Sequence, residues 1–177
     1  GPGRAVGLEL PAHWRAAYWA LAIWSVGATL VTGAGAGHAD VVVTTHPSVA
    51  AAASASGRYA VLVTPAALAR GNPETPAGVV DEARELASYA DRFDAWSKPS
   101  PTQPAWRSDG DVTAYETVVQ PGRHPAGARA AVPDDLDAML RAALDVWAAG
   151  GSIVLCHHAI GDQAARLAAE GVTLDLR

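Results

Sequence analysis

The chain has 177 residues, and 13 Lys+Arg against 18 Asp+Glu leave a formal charge of -5. That length suits a single α/β-sized domain, residues 1–177. Charged residues make up 18% of the chain, too few for a disordered acidic tail. The absence of any Lys/Arg run excludes the basic footprint of a nucleic-acid module. Half of the residues are hydrophobic, but 40 of the 177 are Ala, so the core of large side chains is thin. Lys98 is the only lysine and Asn72 the only asparagine, a skew of high-GC coding that strips arginine abundance of meaning. The single cysteine, Cys156, excludes an internal disulfide and a cysteine-based zinc knuckle.

In chain order, Arg4 to Leu10 reads as a strand, Ala12 to Val26 as a helix, and Ala28 to Thr32 as a strand. From Ala16 to Ala39 there is no charged residue. Three readings of that stretch compete: a spanning helix, which needs about 20 apolar residues; an export signal cleaved near Gly37-His38-Ala39; and a buried helix and strand. Length favours the last, with Pro11 opening the helix, Gly27 closing it, and Trp19, Leu21, Ile23 and Trp24 buried. Gly33-Ala34-Gly35-Ala36-Gly37 tempts a dinucleotide reading. That fingerprint needs a helix to start at the glycines, whereas here a strand, Asp40 to Thr45, follows. A flexible strand-to-strand loop is expected there.

An Ala/Ser-rich helix is expected after Pro47, then a strand at Tyr59 to Thr64. Val79, Val80, Ala83, Leu86 and Ala87 keep helical spacing between Gly78 and Tyr89, with Asp81, Glu82 and Glu85 on the wet face. Asp94 to Gly127 holds five prolines and reads as an irregular connection in which only Val112 to Val119 is ordered, with Trp96 and Trp106 anchoring it or meeting a partner. Ala128 to Val132 is a strand. Asp134 to Ala149 is a helix whose stripe is Leu136, Met139, Leu140, Ala143, Leu144 and Trp147. Ser152 to Cys156 reads as a buried strand, Ile160 to Glu170 as a helix, and Val172 to Leu176 as a last strand. Strand–helix alternation of this kind gives a mostly parallel sheet with helices on both faces, the α/β class.

No phosphate loop, nucleophile elbow or HExxH pair is present. In an open parallel sheet, ligands bind outside the carboxyl ends of the strands. That edge carries Thr45, His46, Thr64, Pro133 and Asp134, and His157 and His158, which makes them the candidate ligand-binding residues. The same residues also fit ordinary strand exits facing water. No residue is assigned a catalytic role, no metal site is assembled by two adjacent histidines, and no cofactor is called for. The partner expected is a small molecule or a protein, with neither nucleic acid nor membrane.

Two sets of residues carry a resemblance. Gly1-Pro2-Gly3-Arg4-Ala5-Val6, Leu10-Pro11 and Trp24-Ser25-Val26-Gly27-Ala28 resemble the opening of acyl-CoA synthetase-type adenylate-forming enzymes. Trp147-Ala148-Ala149-Gly150-Gly151-Ser152-Ile153-Val154-Leu155 and Glu170-Gly171-Val172-Thr173 resemble later pieces of the same N-terminal, AMP-binding domain. The whole chain is similar to a small family of shortened relatives in high-GC Gram-positive bacteria. The resemblance implies part of that domain's fold, in a cytoplasmic protein whose first strand begins as though an N-terminal portion preceded it. It does not carry the activity over. The Ser/Thr/Gly-rich loop YTSGTTGxPKG is missing, and the later adenine, ribose and lysine motifs would lie beyond Arg177. Without Lys or Arg on the phosphates, nothing clamps the charge of the leaving pyrophosphate. The expectation is therefore a catalytically degenerate binding or partner module. The alternatives are an enzyme of other chemistry at the strand edge, using His46, His157 and His158, and an exported protein that loses its first 39 residues.

Overall fold

The computed structural model describes residues 1–90, 92–95, 97–156 and 162–177. The chain divides into two compact units, Gly1–Leu10 with Tyr18–Tyr115, and Pro11–Ala17 with Glu116–Arg177. The first holds a seven-stranded sheet and the second a three-stranded one.

In the first unit the strands are β1 (Ala5–Glu9), β2 (Thr29–Thr32), β3 (Val41–Thr44), β4 (Tyr59–Leu62), β5 (Val80–Asp81), β6 (Pro104–Ser108) and β7 (Asp111–Ala114). Their spatial order is β5-β4-β3-β1-β2-β6-β7, parallel except for β7. The sheet is rich in Val because strands covered on both faces need no polar side. Ala60, Val42, Gly7, Val31, Arg107 and Val112 stand in register across it and so share one face. Helix α2 (Pro47–Ala55) covers the Ala60 and Val42 end, packing Ala50 and Ala53 onto Val42, Ala60 and Leu62. Helix α1 (Trp14–Ser25) lies on the opposite face, where the Trp24 ring meets Trp106 at 6.0 Å and the Trp24 indole donates to the Ala105 carbonyl at 2.9 Å.

Two expectations fail here for physical reasons. Gly33–His38 is not a flexible loop but a 3-10 helix, and it carries the chain from β2 over β1 to β3 in eight residues, 33–40. A parallel crossover usually takes a dozen or more residues. This one is short because it lies directly on Gly7, where a Cβ would come 2.6 Å from the Ala36 carbonyl carbon. Residues 78–89 do not form one helix. Val80 and Asp81 pair with Val61 and Leu62 as β5, followed by α3 (Glu82–Glu85) and a 3-10 turn at Leu86–Ser88. Far from lying on a wet face, Asp81 and Glu82 are 3% and 4% exposed.

The 94–127 connection also holds more order than expected. Pro104–Ser108 and Asp111–Ala114 form a hairpin closed by Asp109-Gly110, with φ of 41° and 96°. Positive φ at both central residues is the type I′ signature, which an Asp-Gly pair favours. The hairpin is tied into the sheet by the Trp106 indole donating to Thr32 Oγ1 at 3.0 Å and the Tyr115 hydroxyl donating to the Ala28 carbonyl at 2.6 Å. Burial raises the Tyr115 pKa, which keeps that donor protonated.

The second unit has β8 (Arg129–Val132), β9 (Ser152–Leu155) and β10 (Leu174–Asp175) in the order β10-β8-β9, all parallel as expected. Helix α4 (Leu136–Ala148) opens on Asp135, whose carboxylate accepts the Ala138 N–H at 2.9 Å. It buries Met139, Leu140, Ala143 and Leu144, with Val146 added beside the expected stripe, while Leu136 and Trp147 are half-buried. Strand β9 is less buried than its sequence suggests, with Ser152 exposed and Ile153, Val154 and Leu155 half-covered. Helix α5 (Gln163–Ala169) is capped by Asp162. Helices α1, α2, α4 and α5 all end on a glycine at positive φ, with the next residue's N–H bonded five residues back.

Of the tryptophans and leucines expected in the core of α1, Ile23 is buried and Trp19 and Trp24 are half-buried. Leu21 is 45% exposed, because α1 turns that side away from its sheet. Among the described residues no helix is long and apolar enough to cross a membrane. Trp96, which lies in the Pro-rich connection, falls outside the described residues.

Candidate functional site

The carboxyl ends of β3 and β4 lie side by side, since Thr44 pairs with Leu62 and the Val63 N–H reaches the Thr44 carbonyl at 2.8 Å. Thr45 and Thr64 follow those ends. Both are half-buried, and the Thr64 hydroxyl is buried without a hydrogen-bond partner among the described residues. A buried hydroxyl lacking a partner costs free energy that a ligand or water can return. His46 is exposed and precedes α2, its backbone N–H satisfied by Thr44 Oγ1 at 3.1 Å and its imidazole not used as a cap.

Asp134 is exposed, and it follows β8 in the other sheet, one residue before the cap of α4. The candidate residues thus leave strands of two sheets rather than four strands of one. His157 and His158 lie outside the described residues. Among the described residues, no three His, Cys, Asp or Glu side chains gather closely enough to hold a metal.

Three features escaped the sequence reading. The first is the Asp81–Glu82 pair at the end of β5. Asp81 accepts N–H donors from Asn72 at 2.7 Å and Arg84 at 3.4 Å, capping α3, while Glu82 accepts from the Trp19 indole at 3.1 Å. Buried carboxylates survive when such donors replace water. Here they lock the β5 corner, the Asn72 loop and α1. The Asp at a helix start was a readable signal, but its burial was not, because helical spacing around it suggested otherwise.

The second is the glycine-rich crossover. Its Ala34 N–H is occupied by Asp109 Oδ1 at 3.2 Å, and Arg58 donates to the Gly37 carbonyl at its far end. The third is a cavity of about 530 Å³ between that crossover and the β6–β7 hairpin, lined in part by His38, Arg107 and Asp109. The Asp109-Gly110 pair was the one sequence signal for the hairpin that shapes it.

The architecture recurs in known proteins. The nonribosomal peptide synthetase FmoA3 superposes with a TM-score of 0.63 at 20% identity, over 97% of this chain and 20% of that one. The crystal structure of IdnL7 gives 0.57 at 21%, over 97% of this chain and 39% of that one. An amide bond synthetase, Mcba of Marinactinospora thermotolerans, gives 0.57 at 20%, over 99% of this chain and 39% of that one. This chain therefore spans between a fifth and two fifths of the length of these structures. At such identities the likeness establishes the fold alone, an α/β fold shared with part of each of these structures. No protein-family model matches the chain, and no curated protein matches it in sequence.

Proposed function

We propose that this chain is a binding module of the cytoplasm, with the fold of part of an adenylate-forming enzyme and no adenylation activity of its own. The observation that carries this reading is the seat of Gly33–His38 on Gly7. The chain's richest run of glycines is the natural place to seek a phosphate cradle. Here its backbone is consumed in crossing the sheet, and its Ala34 N–H already holds the Asp109 carboxylate. The ligand edge in this reading runs through Thr45, His46 and Thr64, at the carboxyl ends of β3 and β4.

Two measurements test it together. ATP–pyrophosphate exchange with a panel of carboxylic acids is expected to stay at background. Reproducible exchange that a substitution in this chain removes would overturn the reading. In a thermal-shift panel of ATP, AMP, CoA and an acyl-adenylate analogue, any compound that raises Tm is expected to lose its effect on Thr64→Val, which keeps shape and deletes the orphan hydroxyl.

A further inference from the structure

The face of the larger sheet that carries Ala60, Val42, Gly7, Val31, Arg107 and Val112 changes cover along that row. α2 lies over its first two positions and the crossover over the third. The last three, Val31, Arg107 and Val112, form the floor of the cavity of about 530 Å³. That volume is within the range of small-molecule sites, roughly 300–1,000 Å³. The walls are Ala34, Gly35 and His38 of the crossover on one side and the Ser108–Asp111 turn on the other.

The floor is chemically unusual. Arg107 stands between two valines, and its guanidinium has no hydrogen-bond or ion-pair partner among the described residues. On the opposite face the adjacent Trp106 is 1% exposed and packed, so only the Arg107 side of β6 is open. The acidic residues nearby are not set to neutralise Arg107. Asp109 is engaged with the Ala34 N–H, and Asp111 pairs with Ser108, which puts its side chain on the Trp106 face by strand alternation.

We infer that this cavity is a second binding site, distinct from the strand edge of Thr45 and Thr64, for a monocarboxylate with an apolar body. The planar guanidinium fork takes a carboxylate through two parallel hydrogen bonds. Val31 and Val112 present apolar surface on either side of it, where an aryl or branched alkyl group displaces water. A single cation facing the Asp109 carboxylate across the cavity balances one added negative charge better than two, which sets a carboxylate above a phosphate dianion. His38 closes the wall and offers a donor to the carboxylate's second lone pairs.

The test is a titration of the full, 15N-labelled chain with 3-phenylpropionate, followed by amide chemical shifts, with 3-phenylpropanamide as the uncharged control and phenyl phosphate as the dianion. Saturable shifts grouped at Val31, Gly35 and Val112 are expected with the carboxylate, by about 10 mM for a fragment of this size. Arg107→Gln is expected to weaken binding by about tenfold or more, and Arg107→Lys by less, because it keeps the charge and loses the fork. Arg107 is exposed, so both variants are expected to keep the dispersed spectrum of the parent. No saturation, equal binding of the amide or the phosphate, an unaltered affinity in Arg107→Gln, or shifts confined to Thr45 and Thr64 would each overturn the inference. A spectrum lost on Arg107→Gln would overturn it too, by making Arg107 a folding residue.

Discussion

The two sheets use the same device at different depth. In each, a glycine stands where a side chain has no room: a Cβ on Gly7 would meet the Ala36 backbone of the crossover in the larger, and a Cβ on Gly151 would meet the Ala128 carbonyl and come 2.7 Å from Val146 Cγ1 in the smaller. Around Gly7, β2 is buried throughout and β3 and β4 nearly so. Around Gly151 only β8 reaches that state, while β9 and β10 stay half-covered or exposed. Parallel strands require cover on both faces. The larger sheet obtains it from two helices and the crossover, whereas the smaller relies on α4 and short flanking strands. The same strand–helix grammar therefore yields one sheet that is core on most of its area and one whose core is a single strand and a helix face.

The largest expected effect is at Gly7. Gly7→Ala puts a methyl into the Ala36 backbone and must lift the crossover, with a loss of about 3 kcal/mol or more in denaturant melts. Gly151→Ala also collides, with the Ala128 carbonyl and Val146, but these lie at the ends of their elements rather than locked across a sheet, so a smaller loss is expected. Equal losses would erase the contrast between the sheets. Next in size is a difference in local opening. Amides of β9, where Ile153 to Leu155 are half-covered, are expected to exchange with deuterium well before those of β1 and β3. Exchange of both sets at one rate would mean a single cooperative unit.

The smallest effect is electrostatic. Arg177 holds the Asp175 carboxylate through side-chain bonds of 2.8 and 2.6 Å and a backbone bond of 3.2 Å, lowering its pKa to about 2. A depressed carboxylate contributes above its ordinary pKa and loses that contribution as pH falls through the folded value. The Asp175 side-chain resonance is thus expected to titrate near pH 2 and, in Arg177→Ala, near an ordinary aspartate value. Because the pair is exposed, the melting temperature should barely move.

Most of the fold was legible because its signals are local. Val41 to Val43, the Leu136–Leu144 stripe and the helix-ending glycines each state their structure within a few residues. What escaped depends on partners distant in sequence. Asp81 and Glu82 look solvated until Asn72 and Trp19 arrive, and the glycine run looks loose until Gly7 lies beneath it. For the site, Thr64 was visible as a strand exit, but its orphan hydroxyl was not. Arg107 was passed over inside a proline-rich stretch, since nothing in its neighbourhood announces that the opposite wall is the crossover.

The shortness of that crossover also sets the order in which the larger sheet can be assembled. From β2 the chain reaches β3 through only the residues 33–40, but it must close over residues 33–103 before β6 can join β2 on the other side. In an unfolded chain a closure about nine times longer costs roughly 2 kcal/mol more entropy. Strands β1 to β4 are therefore the economical nucleus, complete within the first 62 residues, and the hairpin bearing Trp106 docks against a sheet that already exists. The cavity floor comes from both sides of that junction, so it is among the last surfaces of the unit to take shape.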